Sequence, residues 1–256
     1  MTIAHEASSA LFTQSGDNSP RTLTWPATDP GDKAILLITS GSPTPGEGAV
    51  TTPAGWNALA AVFGGTGAFA FQNGARRSSA FEYDCDGSET GTFDVSWASS
   101  GGGAIFGARI EIFSKTESEW AETESGSGVD ATANSAFTIT TGSAVSLQPG
   151  DAVVGLLSGS VENVMDTPAF AATGVTFDTA TGLESSTVSG GNQAFYFSAW
   201  ALVDTGTEDE AVTFSGNVVA DGMGGSGVVV RLRESSGGGD VPIAALAKNA
   251  NQLIEA

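Results

Sequence analysis

The phrase PGDKAILLITSGS occupies residues 30–42, and PGDAVVGLLSGS occupies residues 149–160. A tract that recurs in order with its surroundings constrains a fold more than composition does, because each copy must build the same supersecondary unit. Pro30 and Pro149 are 119 residues apart, and Ser40-Gly41-Ser42 lies 118 residues before Ser158-Gly159-Ser160. The correspondence continues with TPAG at 52–55 and TPAF at 167–170. DCDGSETGTFDVSW at 84–97 matches VDTGTEDEAVTFSG at 203–216, and GGGAIFGARIEIF at 101–113 matches GMGGSGVVVRLRE at 222–234. The order is kept throughout. We read two halves of one ancestral unit, residues 20–117 and 130–235, joined by a connector at 118–129.

Each half follows one grammar. A Pro-Gly-Asp turn launches an apolar run, with Pro presetting φ and Gly free to take positive φ. An aromatic strand follows, SSAFEYD or QAFYFSAWALV. In TFDVSW, Phe93, Val95 and Trp97 share one face, and Asp94 and Ser96 share the other. This is the period of a half-buried strand. In the last strands, Ile110 and Ile112 alternate with Arg109 and Glu111, and Val230 and Leu232 alternate with Arg231 and Arg233. That pattern predicts charged outward faces. Short strands separated by turn signals predict an all-β fold. We expect a jelly-roll-like β-sandwich built from the two halves, with two tandem sandwiches as the alternative. The 35 glycines favour many turns over long helices, and the single Cys85 allows no intramolecular disulfide.

Residues 1–19 read as an N-terminal arm. SSGGGD at 235–240 reads as a flexible linker within a tail at 236–256. The tail ends in VPIAALAKNANQLIEA, where Ile243, Leu246, Leu253 and Ile254 fall on one helical face. A short helix with one apolar face needs a surface to dock on, either a partner's or an edge of its own sandwich, and these four are the candidate partner-binding residues.

A net charge of −20 disfavours nucleic acid and anionic membranes as partners. The start, MTIAHEASSALF, lacks the pattern of a secretory signal, so assembly in the cytoplasm is the expectation. His5 is the single histidine, and a nucleophilic triad or a multi-histidine metal site would have to use that residue near a chain end.

Asp84, Asp86 and Glu89 surround Gly87 and offer hard oxygen ligands to Ca²⁺, although their spacing matches no established loop. No other cofactor is suggested. Trp56 and Trp97 can serve as glycan platforms, but a Trp after such a turn more often plugs a sandwich core. Arg76-Arg77 reads as a solvated loop pair. The glycine runs at 101–103 and 222–225 lack the Lys-Ser/Thr ending of a phosphate loop. No carboxylate pair stands out for glycoside hydrolysis, and no enzymatic activity is expected.

The Gly-Asp start, TTPAGW at 51–56, the Trp-ending strand TFDVSW and the approach to GARIEIF resemble a widespread group of tailed-bacteriophage virion proteins. The resemblance covers most of residues 20–115, and the second half departs from it by lacking the tryptophan after its Pro-Ala, with Phe170 instead. It implies a β-sandwich module in a virion component. The expectation is a capsid decoration protein that self-associates, for example as a trimer, and contacts the major capsid protein. The alternative is a carbohydrate-binding module of a tail fibre or baseplate.

Overall fold

The computed structural model describes residues 3–16, 19–42, 48–64, 75–98, 104–116, 119–130, 136–159, 165–188, 194–218 and 225–235. All regular structure among them is β. No described helix is long and apolar enough to cross a membrane.

Two six-stranded antiparallel sheets form, one centred on each half. The first runs Ala4–Ser8, Ile105–Ser114, Lys33–Ser42, Ala75–Asp84, Asn57–Gly64, with Phe12–Ser15 also on Ile105–Ser114. The second runs Glu124–Asp130, Gly225–Leu232, Ala152–Gly159, Ala194–Thr205, with Thr176–Phe177 and Thr181–Val188 on the last. In both sheets the strand after the Pro-Gly-Asp turn is central.

The two turns have the same geometry. Gly31 and Gly150 both have φ of 91°, the left-handed value required at the third position of a type II turn. The Asp29 amide donates to Asp32 Oδ2 and the Gln148 amide to Asp151 Oδ2, each at 2.9 Å. The Asp32 and Asp151 amides donate back to the Asp29 and Gln148 carbonyls, each at 3.1 Å.

The sheets stack face to face, and each carries a smaller sheet on its other face. Alternation in the central strands sorts side chains between these spaces. Ile35 and Leu37 meet Ala152, Val154 and Leu156 between the large sheets. Ala34, Leu36 and Ile38 point the other way, to Trp56, Val95 and Trp97 beneath the pair Arg21–Thr24 and Thr92–Val95. Val153 and Leu157 point to Phe137, Ile139 and Phe214 beneath Ala136–Thr140, Thr213–Val218 and Met165–Ala171. Strands covered on both faces need apolar residues at every position, which is why KAILLIT and AVVGLL are continuous. Each fully buried Ile or Leu contributes about 1.5–3 kcal/mol of transfer free energy.

The N-terminal arm, residues 1–19, contributes strands to the first sheet. Ala4–Ser8 and Phe12–Ser15 pair with Ile105–Ser114 and form an edge of the first sheet. The connector runs into Glu124–Asp130, an edge strand of the second sheet. Two expectations are corrected here. The final strands do not present charge outward. Glu111 is 0% exposed and Arg231 2%, and Arg109 is partly buried at 13%. Arg76 sits buried in the strand Ala75–Asp84 rather than in a solvated loop, and burial lowers its pKa to about 10. The tail helix and its residues Ile243, Leu246, Leu253 and Ile254 lie outside the described residues, as do the glycines at 101–103 and 222–224.

Candidate functional site

A cleft of about 430 Å³ opens where the first Pro-Gly-Asp turn meets the chain leaving the first sheet. Its walls come from Gly31 to Lys33, from Glu82 and Asp84 on the neighbouring strand, and from Lys115 and residues 119–123. The two-stranded pairing of Glu119–Trp120 with Glu234–Ser235 holds the outer wall in place.

Lysine is rare in this chain, with three residues, and two of them line this cleft. Lys33 Nζ donates to Glu82 Oε2 at 2.9 Å and lies 2.8 Å from Asp84 Oδ1. The Thr123 hydroxyl donates to the same Glu82 oxygen at 2.5 Å. The Gly31 carbonyl accepts from Lys115 Nζ at 2.7 Å and from Trp120 Nε1 at 2.9 Å. The two ammonium groups stand 5.9 and 5.1 Å from the Trp120 ring centre, within cation–π range. Asp32 completes the floor. Burial raises its pKa, and the hydrogen bond from the Asp29 amide pulls the other way. Five carboxylates face two ammonium groups, so the cleft carries net negative charge. It presents fixed donors, fixed acceptors and one aromatic ring.

The residues singled out for calcium do not converge. Asp84 turns to Lys33. Glu89 accepts the Asp86 and Gly87 amides at 2.9 and 3.0 Å, and Asp86 accepts the Ser88 amide at 2.8 Å. Those bonds close the hairpin turn on itself, and the Ser88 bonds lower the pKa of Asp86. Among the described residues, no group of three or more His, Cys, Asp or Glu is placed to hold a metal ion. Trp56 and Trp97 are buried in the first core. Trp56 stacks on Trp25 with ring centres 5.3 Å apart.

His5 has a second cluster around it. Its Nε2 lies 2.9 Å from Glu111 Oε2 and 3.2 Å from Ser8 Oγ, and Ser8 also donates to that Glu111 oxygen. A triad relays a proton through both ring nitrogens, with the carboxylate on one and the nucleophile on the other. Here both partners meet the same nitrogen. The carboxylate is shared further with Arg109 Nε at 3.2 Å, and Arg109 reaches Glu184 of the second sheet at 2.8 Å. The cluster therefore ties the first strand to both sheets.

Sequence reading missed Trp120 and the cleft, because TESEWAETESG looks like a solvated connector. The usable signal was one tryptophan within an acidic stretch. A scan against protein-family models, a search of curated proteins and a search of solved structures each returned no match.

Proposed function

We propose that this chain is a structural component of a tailed-phage particle, a decoration protein of the head exterior that acts by protein–protein contact without chemistry. One observation carries the reading: the motif residues of the virion resemblance help build the scaffold. Gly31 and Asp32 shape the turn, and Trp56 and Trp97 fill the core of the first half. The proposal includes a duplicated jelly-roll-like unit, self-association such as a trimer, and docking on the major capsid protein through Ile243, Leu246, Leu253 and Ile254. Assembly would take place in the host cytoplasm.

The test is co-sedimentation of the purified protein with capsids that lack it, beside a version ending at Ser235. The full chain should pellet with capsids and the shortened chain should not. Failure of the full chain to pellet counts against the proposal. A second reading, a carbohydrate-binding module of a tail fibre or baseplate, is favoured by the placement of Trp120 on an open cleft.

A further inference from the structure

We infer that the cleft at Trp120 is a saccharide site, selective for neutral or amino-substituted sugars over anionic ones. The inference goes beyond the decoration reading, and the two fail separately, because capsid binding and sugar binding are measured independently.

Trp120 is placed unlike the other tryptophans. Trp25 and Trp56 stack on each other, Trp97 packs on Phe106, and Trp200 packs on Phe113. Trp120 has no aromatic neighbour among the described residues and instead lines a cleft. Its ring is also held in place, because Nε1 is tied to the Gly31 carbonyl and the backbone pairs with Glu234. An aromatic ring fixed before the ligand arrives loses little entropy on binding. Sugars present an apolar C–H face suited to such a ring and hydroxyls that both donate and accept.

The polar wall meets that requirement. Glu119 and Glu122 are exposed on the rim, and the Asp84 side chain is 70% exposed beside them. Lys115 has ammonium protons beyond the one given to the Gly31 carbonyl, and the Thr123 hydroxyl, which donates to Glu82, offers its oxygen as an acceptor. The volume of about 430 Å³ falls in the range where proteins hold small ligands. Five carboxylates against two ammonium groups repel uronates and sialates and favour a sugar that is uncharged or carries an amine.

The test exposes the full-length protein to an array of glucose, galactose, mannose and glucosamine oligomers, with galacturonate oligomers as anionic controls. Hits are titrated by calorimetry and tryptophan fluorescence. Saturable binding of a neutral or amino sugar is expected, with an emission change and with galacturonate silent. Trp120→Ala should weaken binding by about tenfold or more, the loss of one good contact. Because Trp120 also packs against the inter-sheet core, a second variant, Glu119→Gln with Glu122→Gln, leaves that packing alone and should weaken glucosamine binding severalfold. No saturable binding on the array overturns the inference. So does equal binding of galacturonate, or a hit that both variants bind like the unmodified protein.

Discussion

The hydroxyls of Thr39 and Ser158 are hydrogen-bonded to each other between the two large sheets, 119 residues apart in the chain. That spacing equals the distance between the two Pro-Gly-Asp turns. Thr39 lies nine residues after Pro30 and Ser158 nine residues after Pro149, so the two hydroxyls stand at the same distance from their turns. Beside them Ser78 Oγ lies 2.9 Å from Ser226 Oγ and donates to the Ser226 carbonyl at 3.1 Å. The centre of the inter-sheet contact is polar but paired.

Thr39→Val keeps the shape and strands the Ser158 hydroxyl in a buried site. An unsatisfied buried hydroxyl destabilises by about 1–3 kcal/mol. Ser158→Ala should act similarly on Thr39. The double variant should lose clearly less than the two single losses combined, because no orphan remains. Urea unfolding of all four proteins measures this, and strict additivity would contradict the pairing.

Gly64→Ala tests the fit of the sheets. A Cβ on Gly64 would stand 2.6 Å from the Gly225 carbonyl oxygen of the opposite sheet, a backbone atom that cannot swing away. Gly64 does not have a positive φ, so its own backbone accepts alanine. The loss, about 1–3 kcal/mol for overpacking, should come from the contact between halves. A melting temperature equal to that of the unmodified protein would show that the halves do not pack this closely.

Glu111→Ala removes a fully buried carboxylate shared by His5, Ser8 and Arg109. Breaking such a group should destabilise by about 3–5 kcal/mol. Proteases should then cut near Ala4–Ser8, where the strand has lost its anchor. Unchanged stability and protection would contradict a role for this cluster in holding the first strand.

Much of the fold was legible because its signals are local. The Pro-Gly-Asp turns, the alternation of Phe93, Val95 and Trp97, and the core role of Trp56 depend on nearest neighbours in sequence. The misread positions depend on distant partners. Glu111 looked solvent-facing because its hydrogen-bond partners include His5, 106 residues away. Arg109 is satisfied by Glu184 and the Leu183 carbonyl of the other half. Matching the phrases SGS to SGS aligns Ser40 with Ser158, yet the interface joins Thr39 to Ser158. A small shift in alignment is invisible in text but moves a side chain to the opposite face of its strand. The cleft was unreadable because it is assembled from four separate stretches.

Cys85 should be inert in the folded protein. Burial pushes its thiol from 9.0 up to about 12, with Glu89 adding to the shift. The thiolate is the reactive form, so thiol reagents at pH 8 should label the chain only after denaturation. The same shift sets a pH dependence. Between pH 9.0 and about 12 the folded state keeps a proton that the unfolded state releases, so stability falls as pH rises through that window. Rapid labelling of the native protein would contradict the burial of Cys85.

The central claim is that this chain belongs to a virion. Quantitative mass spectrometry of purified particles from the source, normalised to the major capsid protein, tests it most directly. The account predicts this protein in a fixed stoichiometric ratio to the capsid lattice. A few copies per particle would move it from the head to the neck or tail tip, and its absence from the particle would contradict the account.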